Sequence, residues 1–166
     1  ANKYGNPESW APRNDDGNYE GFLSLKAALA SSVNTVTARL MDKIGPQPVV
    51  DLAKSLGVEQ EILPVPAIAL GVPELSVYEM VAAYSSFANK GVYTKPVMIT
   101  TIADKNGTIL YQTVPETKDV LSEEAAYVTV NLLQGVTEAG SGKRLRHTYG
   151  TDRAYKKIIT GYPYEF

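Results

Sequence analysis

Ser32 and Asn34 stand two residues apart and could share one chemical task. A serine hydroxyl both donates and accepts, so it can relay a proton between a lysine and a leaving amine. A side-chain amide beside it can grip a peptide-like substrate. The triplet Ser32-Val33-Asn34 says little alone, because roughly half of all chains this long hold an S-x-N by chance. The competing role is helix capping, in which Ser and Asn ahead of Thr35-Val36 satisfy free N–H groups. Both roles fit a turn between two helices that holds the side chains rigidly.

Other constellations are weaker. His147 is the only histidine and lies in the basic stretch Lys143-Arg144-Leu145-Arg146-His147. No G-x-S-x-G elbow accompanies it, so a surface position is expected rather than a Ser-His-Asp triad. With one His and no Cys, no metal site is expected, and no cofactor. Asp15-Asp16 and Glu123-Glu124 read as turn and helix-start residues. Gly140-Ser141-Gly142-Lys143 lacks the four-residue spacer and preceding strand of a phosphate loop, and reads as a helix C-cap followed by a basic turn.

The elements that would position Ser32 and Asn34 are mostly helical. Residues 1–23 carry Gly, Pro, Asn and Asp and read as an irregular arm, which Tyr4, Trp10, Tyr19 and Phe22 could pin to a surface. Leu25, Ala28, Leu29 and Ser32 keep helical spacing behind a Ser24 cap. Val36, Leu40 and Ile44 form the next stripe, ended by Gly45-Pro46. Val49, Leu52, Ala53 and Leu56 form a third, stopped by Gly57. Pro64, Pro66 and Pro73 bracket a loop. Ser76-Val77-Tyr78-Glu79 is a capping box that starts a helix with the apolar face Val77, Met80, Val81, Tyr84, Phe87 and Ala88. Val97–Ile102 and Thr108–Tyr111 flank Asp104-Lys105-Asn106-Gly107, a β-hairpin signal. Ser122 opens a long helix with the stripe Ala126, Val130 and Leu133, closed by Gly140-Ser141-Gly142.

Composition narrows the class. With 166 residues, 44% apolar and 20% charged, the chain can fold around a core of its own. The net charge of −2 argues against a nucleic-acid partner. No apolar run approaches bilayer length, so no direct membrane insertion is expected. The first residue is Ala1 and the last seven are Thr160-Gly161-Tyr162-Pro163-Tyr164-Glu165-Phe166. A chain with these ends is expected to be a processed or engineered piece of something longer.

The series Pro12-Arg13-Asn14, Tyr19-Glu20-Gly21, Ser24-Leu25, Ala28-Leu29, Ser32-Val33-Asn34 closely resembles the transpeptidase domain of class A penicillin-binding proteins. Further matches keep their order. Pro66–Gly71 resembles the family's P-S-L-A-L-G, and Glu74–Met80 its E-V-T-P-L-E-M. Ala83-Tyr84, Phe87-Ala88-Asn89, Gly91, Tyr93 and Pro96 match A-Y-x-x-F-A-N-x-G-x-Y-x-x-P. Ile102, Asp104 and Gly107 match I-x-D-x-x-G. Leu132-Leu133, Val136, Gly140, Gly142 and Leu145 resemble the helix and G-T-G-x-x-L turn before K-T-G, with Ser141 in place of the usual Thr.

The resemblance implies an enzyme that cross-links peptidoglycan stem peptides outside the cytoplasmic membrane. The serine of its S-x-x-K motif attacks a D-Ala-D-Ala bond and forms an acyl-enzyme, which β-lactams trap. By motif match, Ser32 becomes the proton-relay serine of the second motif. Asn34 becomes the residue that contacts the substrate amide and orients the catalytic lysine.

Neither S-x-x-K nor K-T-G occurs in these 166 residues. Lys156-Lys157-Ile158-Ile159-Thr160-Gly161 separates Lys from Thr-Gly by two residues and cannot substitute. The expectation is a single partial domain over 1–166, mainly α with one β-hairpin. It corresponds to the helical subdomain of the penicillin-binding protein and serine β-lactamase-like fold, lacking most of the central sheet. Its parts are the arm 1–23, a helical part 24–92 with S-x-N, a hairpin 95–113, a long helix 122–139 and a loop 140–166 leading toward a K-T-G strand. Alone it should be inactive, and apolar faces left bare should favour self-association. The alternatives are a non-enzymatic helical binding or scaffold module and, more weakly, a relative of the serine β-lactamases.

Overall fold

A computed structural model describes residues 10–19 and 21–148. Six α-helices dominate them: α1 Leu25–Ala30, α2 Asn34–Ile44, α3 Pro46–Ser55, α4 Val77–Ala88, α5 Glu123–Glu138 and α6 Lys143–His147. A 3₁₀ turn covers Pro66–Leu70. The strands are β1 Val92–Thr94, β2 Thr101–Ala103, β3 Ile109–Gln112 and β4 Thr117–Asp119. The expected boundary residues act as read. Ser24, Ser76 and Ser122 each accept a hydrogen bond from a first-turn amide of the helix they open. Gly45 stands between α2 and α3, and Pro46 takes the first position of α3, where its missing N–H is harmless.

The α4 capping box reaches beyond its own helix. Ser76 Oγ accepts from Glu79 N at 3.2 Å, and the Glu79 carboxylate accepts from Ser76 N at 2.8 Å and Ser76 Oγ at 2.6 Å. Its other oxygen accepts from Glu59 N at 3.0 Å and Gln60 N at 3.1 Å. One buried carboxylate thus ties the segment after α3 to the start of α4. Four donors favour its charged form, led by the Ser76 hydroxyl, and hold its pKa down at about 2. Beside it, Val50, Val58 and Ile62 form an apolar core against which Ala53, Ile68 and Leu75 pack.

Helix α5 is the central strut, with α1, α4 and α6 packed on it. The faces these helices bury are small: Ala28, Ala30, Ala82, Ser86 and Ala126. At Gly140, just past α5, the Ala30 carbonyl comes closer than any Cβ could tolerate. The close fit leaves the larger apolar residues outside, which reverses part of the sequence expectation. On α4, Val77 is 80%, Val81 56% and Tyr84 51% exposed, whereas Glu79, Ala82 and Ser86 face inward. On α2 the buried residue is Met41, and the expected stripe members Leu40 and Ile44 are exposed.

The strands form two separate antiparallel pairs. β2 and β3 make the expected hairpin, though the ladder begins at Thr101 and Val97–Thr100 stay outside it. Asp104 Oδ1 accepts from Asn106 N and Thr108 N, both at 2.8 Å, which shapes the turn with Gly107 at φ +86°. The second pair, β1 with β4, was not expected and matches Val92 to Asp119 across the hairpin. Gly91 fits beneath the Leu121 carbonyl at φ +88°, where a side chain would have no room. Beyond α5, the expected 140–166 loop instead begins with α6. Tyr4, the Lys156–Gly161 stretch and the final aromatics lie outside the described residues.

Candidate active site

Ser32 and Asn34 sit in the turn that joins α1 to α2. α1 ends in a six-to-one bond from Val33 N to the Ala28 carbonyl at 2.9 Å, with Ser32 N donating to the Leu29 carbonyl at 3.1 Å. This ending puts Ser32 at φ +55°, a left-handed conformation that glycine normally takes. The strain fixes the direction of an exposed side chain. Among the described residues, the Ser32 hydroxyl has no hydrogen-bond partner.

The capping role weighed for Ser32 and Asn34 is not what these side chains do. Val33 is the N-cap of α2 and makes no side-chain cap bond. The cap comes instead from the arm, where Asn14 Oδ1 accepts from Thr35 N at 3.0 Å. Asn34, the first residue of α2, donates its Nδ2 to the Arg13 carbonyl at 3.0 Å. Its Oδ1 therefore stays available to accept. The arm is folded to make this clasp. Gly17 N donates to the Asn14 carbonyl at 3.1 Å, and Asn14 Nδ2 donates to the Asn18 carbonyl at 2.7 Å. Asp16 Oδ1 accepts from Asn18 N at 2.9 Å.

Two of the expected aromatic pins, Tyr19 and Phe22, do not hold the arm, and Tyr4 lies outside the described residues. Phe22 is fully exposed and Tyr19 is 64% exposed, while Trp10 is half-buried. Polar contacts of Arg13 and Asn14 tie the arm to α2. Asn is a strong capping residue, and that signal was in the sequence. The capped helix is 21 residues away, so no local spacing rule could assign it.

The turn is backed by α5 and its exit. Ser141 N donates to the Ala30 carbonyl at 3.3 Å, two residues from Ser32. Lys26 Nζ lies 2.9 Å from the Glu138 carboxylate, and Arg146 approaches the same group at 3.8 Å. The Lys26 contact holds the Glu138 carboxyl below the usual carboxylate range. His147 is exposed on α6, a surface position as expected. Among the described residues, no group of three His, Cys, Asp or Glu side chains could hold a metal ion. None of their helices is long and apolar enough to cross a membrane.

Comparison with known proteins gives this arrangement a family. The family described as "Penicillin binding protein transpeptidase domain" matches residues 1–157. The chain is 37% identical over 158 residues to "Penicillin-binding protein 1A" of Clostridium novyi, covering 90% of this chain and 18% of that protein. It is 34% identical over 141 residues to "Penicillin-binding protein 1B" of Haemophilus influenzae, covering 84% and 18%. The chain thus spans about a fifth of the length of these curated relatives. Among solved structures, Penicillin-Binding Protein 1A from Haemophilus influenzae matches with a TM-score of 0.77 at 21% identity, over 85% of this chain and 27% of that one. The imipenem acyl-enzyme complex of penicillin-binding protein A from M. tuberculosis matches at 0.69 and 18% identity, over 80% and 36%. The last two likenesses concern the fold.

Proposed function

Because this chain belongs to the penicillin-binding protein transpeptidase family, we propose that it carries the second motif of a serine D,D-transpeptidase. In this reading the whole protein cross-links peptidoglycan stem peptides on the outer side of the cytoplasmic membrane, and β-lactams trap it as an acyl-enzyme. The nucleophilic serine and its lysine belong to an S-x-x-K motif, and the substrate lies along a K-T-G strand. Ser32 relays the proton between that lysine and the leaving amine. Asn34 contacts the substrate amide and orients the lysine.

The observation that carries this reading is the pairing at the α1–α2 turn. Ser32 holds a strained left-handed conformation with an uncommitted hydroxyl. Asn34 is fixed by one end of its amide and keeps the other end free to accept. Strain of this kind clusters at sites where geometry matters more than stability. A pure C-cap would be better served by glycine.

These 166 residues contain no S-x-x-K and no K-T-G, so the chain alone forms no acyl-enzyme. Fluorescent penicillin tests both statements. The protein extended through both motifs should label covalently, and boiling in detergent should not release the label. The 166-residue chain should stay dark. Labelling of the short chain overturns its inactivity, and failure of the extended protein to label overturns the transpeptidase reading.

A further inference from the structure

The contacts between the arm and the α1–α2 turn extend the site by a third residue. Two hydrogen bonds join arm and turn, and two more hold Asn14 within the arm. The Asn34 amide is held by a backbone carbonyl of the arm, the Arg13 C=O. The amide of Thr35, the second residue of α2, is held by the next side chain, Asn14. Asn14 is itself locked, because its Nδ2 is committed to the Asn18 carbonyl and its own carbonyl accepts from Gly17. Both ends of its carboxamide are thus in use, and its Oδ1 can only point at α2.

This arrangement decides which end of the Asn34 amide is presented. A carbonyl can accept only from a donor, so the Arg13 C=O selects the Nδ2 end and turns Oδ1 away from the arm. Without the Asn14 side chain the Arg13 carbonyl loses the adjoining clasp on Thr35 N and the tie to Asn18, and the Asn34 carboxamide is less firmly held. A half-buried residue on an irregular arm then acts at a distance of 20 residues on the orientation of a site residue. Stability alone does not need this geometry. Ser, Thr or Asp at position 33 would cap α2 locally, yet Val33 stands there and the cap is delegated to the arm.

Resting on the function proposed above, we infer that Asn14 is a positioning residue for acyl transfer, acting through Asn34. Two measurements test this. In the 166-residue chain, one side-chain N–H of Asn34 and the backbone N–H of Thr35 should be protected from hydrogen exchange, and Asn14→Ala should release both. In the protein extended through S-x-x-K and K-T-G, Asn14→Ala should slow penicillin acylation about tenfold through the chemical step rather than through binding. Asn14→Asp should recover only part of that rate, because its carboxylate still accepts from Thr35 N at a helix N-terminus but cannot donate to the Asn18 carbonyl. In an Asn34→Ala background, Asn14→Ala should change the rate by less than about twofold.

Equal losses from Asn14→Ala in both backgrounds, or no loss in either, overturn the inference while leaving the transpeptidase reading intact. Unchanged exchange of the Asn34 side chain in Asn14→Ala overturns it as well. An extended wild-type protein that fails to label overturns the functional reading and this positioning role with it.

Discussion

Replacing Ser32 with glycine should make the chain more stable while weakening its site. Ser32 holds φ +55°, and a left-handed conformation costs an L-residue roughly 1–2 kcal/mol. Glycine removes that cost but adds freedom to the unfolded chain, which returns about 0.4–1 kcal/mol. The serine hydroxyl has no partner among the described residues, so no hydrogen bond is lost. The net gain for Ser32→Gly is then about 0.5–1 kcal/mol. For a domain of this size it should raise Tm by about 1–4 °C. Ser32→Ala keeps the Cβ and hence the strain, and should lie within about 0.5 kcal/mol of wild type. Urea unfolding followed by far-ultraviolet circular dichroism measures both, with an unchanged m-value as the control for a common unfolded state. A destabilised Ser32→Gly would refute the reasoning, since it would mean that the serine side chain contributes to the fold. In the extended protein both variants should slow penicillin acylation, so that glycine separates stability from chemistry.

Three further outcomes follow from the packing. Glu79 has its pKa lowered from 4.5 to about 2 in the folded chain, so the unfolded chain takes up the proton first. Its stabilising effect is present above pH 4.5 and is lost as pH falls toward 2, and Glu79→Gln should flatten that part of the urea-midpoint profile and lower the plateau above it. A variant profile parallel to wild type would count against this. Gly140→Ala drives a methyl into the Ala30 carbonyl and should cost about 1–3 kcal/mol, whereas Gly21→Ala, with nothing within 4 Å, should unfold like wild type. The bare face of Val77, Val81 and Tyr84 should drive self-association of the 166-residue chain. Sedimentation velocity should show it, Val81→Asp should reduce it, and a clean wild-type monomer at high concentration would exclude it.

The parts of the fold that could be read from sequence are those whose causes are local. The Ser76–Glu79 capping box and the Asp104–Gly107 turn each lie within five residues, and both formed where expected. The choice of buried face is not local. α4 is apolar nearly all round, so periodicity pointed to its largest residues, while close packing chose the small Ala82 and Ser86 and the capping box drew in Glu79. The β1–β4 pair joins two three-residue strands about 25 positions apart, too short to carry a pattern of their own. The same limit applies to the site. Ser32 and Asn34 were legible as a triplet in an ordered frame. The left-handed serine and the Asn14 clasp depend on backbone geometry and on a contact spanning 21 residues.

The β1–β4 pairing has a topological consequence. Because Val92–Thr94 is zipped to Thr117–Asp119, the segment between them leaves and returns at one place, with the Tyr78 hydroxyl donating to the Pro96 carbonyl near its start. The β2–β3 hairpin is a side branch at that place rather than a rung in the main structure. The entropy of closing the loop depends only weakly on its length, rising about 0.6 kcal/mol for each doubling. Residues can therefore be added to or removed from the branch tip while the frame around Ser32 keeps its shape. Length variation, epitope grafts and reporter insertions all have a natural home there.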